Sequence, residues 1–348
     1  TTLLLSSAAS DVYKRQIGGY IKKFLIFFLV LIIGGYFGLG YYVYGVAASV
    51  PCEIWIEEID NKPENWSLGS KADWNPAEYF ITDYEEVTIL ADNGEIELNS
   101  WWVENDLSNP TIILLHGLTS SKHSPDILLP MGMMNKSNFN LLAIDMRDHG
   151  ESTCEDGFYA AGQNETDDVV AAIDWLKAKG IAPSNIGIYG NSLGALIGLM
   201  TPAKTNDFNS LAVIDPPVDF KTLVREEMEF QNLPTFLWEP LYHYALVFER
   251  INMLKDIPVD ALPKGNKQPM LIFTGMRSDR ILPHHSDDLV NIAEQNGIEY
   301  EIHKYDDMGH TQILYFYTQE YSELLIDFYE STLSCLLYTS PSPRDVLR

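Results

Sequence analysis

The chain has 348 residues, 46% hydrophobic and 12% aromatic, which excludes a disordered polymer and fits one large α/β domain with additions. Its 23 Lys+Arg against 49 Asp+Glu leave a net charge of -26, and with no basic cluster to override it this surface excludes nucleic acid as a partner. Three cysteines, Cys52, Cys154 and Cys335, are too few and too scattered for a disulfide framework or a cysteine metal site; one bridge is possible, but the count does not call for it.

Both ends look foreign to what lies between. Residues 1–16 and 335–348 resemble adapter DNA read through in frame, so they are set aside and Ile17–Ser334 is taken as the natural portion, lacking its own start. Within the segment 17–51, Phe24–Val50 carries no charge and as a helix would reach about 40 Å, enough to cross about 30 Å of hydrocarbon. Lys22 and Lys23 precede it and Glu53, Glu57, Glu58 and Asp60 follow, a bias that puts the N-terminus in the cytoplasm and the rest outside. Tyr36, Tyr41, Tyr42 and Tyr44 crowd its second half as an interfacial belt would. The alternative is a cleaved signal peptide with its cleavage site near Ala47–Ser49, but the apolar run is long for that and an uncleaved anchor is preferred.

Residues 52–85 are polar and read as a linker. From Glu86 the pattern changes. Val87, Ile89, Ile96 and Leu98 alternate around Asp92-Asn93-Gly94, predicting a β-hairpin to about Val103. Apolar runs at 111–115, 139–145, 186–189, 211–215, 270–274 and 300–304 then alternate with helical stretches such as Thr166–Lys179, which Gly180 ends. Strands alternating with helices imply a mostly parallel sheet with helices on both faces, split into 86–219 and 266–334. Between these halves, 220–265 is rich in Phe230, Phe236, Trp238, Tyr242 and Phe248 and broken by Pro234 and Pro240, a small helical cap over the carboxyl end of the sheet.

Gly190-Asn191-Ser192-Leu193-Gly194 fits G-x-S-x-G between a strand and a helix. Such a turn pushes a strained serine hydroxyl above the sheet, and the glycines on either side remove Cβ atoms that would collide. A serine needs a base and the base an acid to orient it. His310, in Asp307-Met308-Gly309-His310, follows the strand at 300–304 and precedes a helix expected over 312–333, while Asp279 follows the strand at 270–274. Competing acids are Asp287, Asp288, Asp306 and Asp307, with Asp215 or Asp219 a less common placement.

In this motif order, serine then acid then histidine, the stretch from about Glu86 to Leu333 resembles an α/β-hydrolase, here preceded by one transmembrane helix. That resemblance implies a serine hydrolase with Ser192, Asp279 and His310 as triad and the backbone N–H groups of Leu118 and Leu193 as oxyanion hole, His116-Gly117 shaping the first of these loops. The elbow glycines are Gly190 and Gly194. Asp145-Met146-Arg147-Asp148-His149-Gly150-Glu151-Ser152 is similar to the family's D-x-R-G-x-G-x-S turn, with Asp148 where Gly is usual, and its histidine is expected to be structural. The Gly275–Asp279 spacing is one residue longer than the family's usual one. Carboxylic esters of small-molecule size are the expected substrates, with no metal or cofactor. The alternatives are an amide, peptide or thioester hydrolase on the same triad, or a catalytically silent membrane-tethered binding module. Oligomeric state is left open.

Overall fold

A computed structural model of the chain describes residues 2–333; the segment 335–348 lies outside them. Helix α1 (Thr2–Ala47) contains Gly18–Ala47, a stretch long and apolar enough to cross a membrane. Among the described residues, eight strands form one sheet in the order β1-β2-β4-β3-β5-β6-β7-β8. β1 (Glu85–Ala91) and β2 (Ile96–Val103) form the expected hairpin, turning through Asn93 and Gly94 in left-handed backbone (φ 57° and 91°). β2 pairs antiparallel with β4 (Asn140–Ile144), and every pairing from there through β3 (Thr111–Leu115), β5 (Ile186–Asn191), β6 (Ser210–Ile214), β7 (Met270–Gly275) and β8 (Tyr300–Tyr305) is parallel.

β3 through β7 are buried on both faces, which is why they read as unbroken apolar runs. In β3, Ile113 and Leu115 enter one core and Ile112 and Leu114 the other, each buried side chain contributing about 1.5–3 kcal/mol. One face is covered by α3 (Glu165–Ala178), α4 (Leu193–Met200) and α8 (His284–Asn296); α2 (Pro125–Lys136), α9 (Ile313–Phe316) and α10 (Thr318–Thr332) cover the other. The single helix expected over 312–333 is thus two, separated at Tyr317. α5 (Phe220–Phe230), α6 (Trp238–Tyr244) and the short α7 (Pro258–Ala261) form the cap between β6 and β7, with a π-helical turn at Ala245–Glu249.

Two expectations change. The segment read as a linker is packed onto the domain: Trp66 and Leu68 are buried in the α2-side core, the Ile81 N–H donates to the Pro63 carbonyl and Lys71 pairs with Asp126 at 2.6 Å. Four buried apolar side chains in two separate pairs, Trp66 with Leu68 and Tyr79 with Ile81, anchor it without a sustained periodicity. Cys52 and Cys154 also form a disulfide, tying the end of the anchor region to the loop after β4.

Candidate active site

Ser192 follows β5 in a strained backbone conformation, φ 51° and ψ -119°. Its N–H donates to the Ile214 carbonyl at 2.9 Å, and its own carbonyl accepts from Ala195 and Leu196 as α4 begins. The flanking glycines are required by contact. A Cβ on Gly190 would lie 2.5 Å from the Gly194 carbonyl oxygen, and one on Gly194 2.3 Å from that of Leu115.

The loop after β3 meets this turn closely enough that a Cβ on Gly117 would be 3.5 Å from that of Ser192. Neither Leu118 nor Leu193 donates its N–H to a backbone carbonyl among the described residues. Asp145 holds the loop in place. Its Oδ1 accepts the Lys122 N–H at 2.6 Å, and Oδ2 accepts Lys122 Nζ at 2.7 Å and the Glu151 N–H at 2.9 Å. Burial alone would raise the Asp145 carboxyl, but the Lys122 ammonium beside it holds it below the usual range. Arg147 makes a two-pronged pair with buried Asp168, and Asp148, at φ 61°, accepts the N–H groups of Glu155, Asp156 and Gly157. The D-x-R-D-x-G-x-S stretch is therefore a scaffold, and aspartate replaces glycine there because it tolerates this backbone and bonds the next loop.

Other histidines are occupied. His116 Nδ1 contacts the Gly117 carbonyl and Nε2 accepts the Met146 N–H at 3.1 Å, while burial pushes its imidazole down to about 3, too low for a base working near neutrality. His149 Nδ1 contacts the Arg147 carbonyl, and His284 and His285 both contact Glu226.

His310 lies in the loop after β8 and shares with Ser192 a cavity of about 590 Å³. Its Nδ1 is 3.4 Å from both Ser278 Oγ and Asp215 Oδ2, leaving Nε2 as the nitrogen available to a serine; no Ser192–His310 hydrogen bond is formed among the described residues. Asp279, the expected acid, is exposed and makes no side-chain hydrogen bond or ion pair among the described residues. The carboxylate beside the imidazole belongs to Asp215, which directly follows β6, is 1% exposed and accepts the Gly275 and Thr311 N–H groups at 2.8 and 2.7 Å. Ser278, three residues after Gly275, sits at the imidazole, and Asp279, one residue further on, faces outward. One sequence signal for Asp215 existed: it directly follows the strand next to the one carrying Ser192.

The cavity is mostly apolar. Phe220, Leu223, Val224 and Met228 of the cap line it, and so do Val43, Val46 and Ala47 from the far end of α1. That α1 contributes a wall was not foreseen, because nothing in an apolar helix marks which end packs on a domain.

A strained serine at a strand-to-helix turn, on a mostly parallel sheet with a cap over its carboxyl end, defines an α/β-hydrolase of the serine hydrolase type. The chain belongs to the prolyl oligopeptidase family (Peptidase_S9), whose sequence pattern matches residues 131–334. It is 29% identical over 139 residues to an uncharacterised 31.7 kDa Escherichia coli protein from the traX-finO intergenic region, covering 38% of this chain and 46% of that one, so the match spans under half the relative's length. Its fold is similar to an esterase of Pyrococcus furiosus (TM-score 0.59, 22% identity, 76% of this chain and 96% of that one). It is also similar to the acylaminoacyl peptidase of Pyrococcus horikoshii (TM-score 0.58, 16% identity, 77% and 45%).

Proposed function

We propose that this serine hydrolase cleaves carboxylic acyl esters through Ser192, His310 and Asp215, with the backbone N–H groups of Leu118 and Leu193 as oxyanion donors. The observation that carries this reading is the shared apolar cavity: Ser192 and His310 both line it, and His310 presents Nδ1 to a buried carboxylate. His310 Nε2 takes the Ser192 proton as Oγ bonds to the acyl carbon, and the two N–H groups receive the oxyanion. The imidazolium then protonates the alkoxide, which leaves as the alcohol. Water, losing a proton to His310, attacks the acyl-serine, and the carboxylic acid departs as that proton returns to Oγ. Asp215 stabilises the imidazolium and fixes its orientation throughout.

Membership of a peptidase family favours a second reading, amide or peptide cleavage on the same residues. The apolar lining favours esters of acyl chains over peptides, whose backbone would bring many polar groups into it. An active-serine phosphonate should label the wild type and not Ser192→Ala, and an unlabelled wild type would establish a silent binding module. A panel of p-nitrophenyl esters of graded length against an anilide decides between ester and amide. For placement, we propose a single-pass anchor with the catalytic domain outside the cytoplasm, supported by Lys22 and Lys23 before the span and by the Cys52–Cys154 disulfide after it. Protease added outside intact cells should degrade the domain.

A further inference from the structure

The distance along α1 at which the cap attaches bears on where substrate comes from. Lys22 and Lys23 mark one edge of the apolar span, and a helix rises 1.5 Å per residue, so Tyr36 stands about 20 Å beyond Lys23 and Tyr41 about 27 Å, both inside a hydrocarbon layer of about 30 Å. The cap packs against this very stretch. The Tyr36 hydroxyl hydrogen-bonds His243 Nδ1 at 2.6 Å, Phe37 meets Phe248 edge-on at 5.2 Å, and Tyr41 lies 5.6 Å from Tyr244. At Gly40 the approach is closest: a Cβ there would be 2.2 Å from the Pro240 carbonyl oxygen. With α1 spanning the bilayer, these contacts carry the cap down into the leaflet on the domain's side.

Its outer surface suits that position. Phe236, Val247 and Phe248 are 66%, 55% and 57% exposed, a cost in water that a lipid environment removes. The apolar surface reaches the cavity itself, since Leu233 of the cap and Val46 of α1 both line the cavity and are 45% and 65% exposed. By the same rise Val46 stands about 35 Å beyond Lys23, at the headgroup edge of the hydrocarbon, so an acyl chain entering beside it would leave the leaflet there and follow apolar lining toward Ser192. The net charge of -26 disfavours an anionic headgroup.

We infer that the cap rests in the bilayer beside α1 and that the cavity takes its substrate, a long-chain single-acyl ester lipid with an uncharged headgroup, laterally from the membrane. This rests on the esterase reading above and names its substrate class. The test uses the full chain in phosphatidylcholine vesicles, with monooleoylglycerol supplied in the bilayer and p-nitrophenyl acetate from water. The wild type should hydrolyse both. Phe236→Glu/Val247→Glu, on the cap's outer surface and away from the cavity, should hydrolyse bilayer monooleoylglycerol at least about tenfold more slowly with p-nitrophenyl acetate turnover within about twofold. If the pair of charges also abolishes p-nitrophenyl acetate turnover, Val247→Glu alone carries the comparison. A charged cap that hydrolyses monooleoylglycerol at the wild-type rate overturns the inference. So does a wild type that cleaves the acetate and not the lipid, which leaves the esterase reading standing; cleavage of neither ester, with no phosphonate labelling, removes that reading too.

Discussion

Asp215 and His310 are far apart in the chain, beyond β6 and β8, strands with only β7 between them, and Asp215 Oδ2 is 3.4 Å from His310 Nδ1. The Thr311 N–H donates to the same Oδ2 at 2.7 Å, so one carboxylate both faces the imidazole and pins the loop that carries it. Asp215 is itself at φ 43°, as Ser192 is at φ 51° one strand away.

Asp215→Asn is therefore expected to lower kcat on p-nitrophenyl acetate by about 10³–10⁴-fold, because it removes the charge that stabilises the imidazolium while keeping a side chain that tolerates positive φ. Asp279→Asn should stay within about twofold of wild type. Steady-state kinetics of the two variants decide the acid, and the reverse ranking would return the role to Asp279.

The elbow glycines allow a contrast within one helix. A Cβ on Gly194 would meet the Leu115 and His116 carbonyl oxygens at 2.3 and 2.5 Å, backbone that cannot rotate away, whereas one on Gly198 would meet side chains, those of Ile188 and Leu211 at 3.4 Å and Leu115 at 3.9 Å. Gly194→Ala should cost about 1–3 kcal/mol and most of the activity. Gly198→Ala should keep both, with a melting temperature equal or higher, since alanine restricts the unfolded chain. Thermal melts with an esterase assay read both outcomes.

The Cys52–Cys154 bridge closes a loop spanning 102 residues in sequence. Replacing both cysteines by serine should lower stability by about 2–4 kcal/mol, mainly through the freer unfolded chain. Denaturant unfolding of the variant and of the reduced wild type should agree; an unchanged midpoint would show that the bridge does not hold the native chain.

Glu165 is fully buried, and burial pushes its carboxyl up to about 7; Oε1 accepts the Ala160 N–H and Oε2 has no partner among the described residues. The folded state therefore holds its proton more tightly than the unfolded chain. The resulting stability is present in full below about 4.5 and is lost as pH rises through about 7, a change of about 3 kcal/mol. Glu165→Gln should remove this slope, so that the variant gains on wild type between pH 5 and pH 8 in chemical denaturation; parallel curves would refute the assignment.

How much was legible follows from what each feature depends on. The hairpin at Asp92–Gly94, the strands β3 through β8 and the cap were readable to within a residue or two, because burial on both faces leaves continuous apolar runs in β3 through β7 and turns leave their own residues; β8, at the sheet edge, is only partly buried. The packed stretch from Trp66 to Ile81 was not, since four buried apolar side chains in two separate pairs sustain no period.

The amino-acid order by itself determined the α/β alternation, the serine at a strand-to-helix turn, the histidine after the last strand and an apolar helix ahead of them, all properties of residues close together in the chain. Only the tertiary structure decided which carboxylate meets His310, that Cys52 finds Cys154, and that Val43, Val46 and Ala47 wall the cavity. Several acidic residues follow strand ends, and their composition and spacing are alike; the choice among them is made by loop paths across the sheet, which fix distances of a few ångströms between groups far apart in sequence.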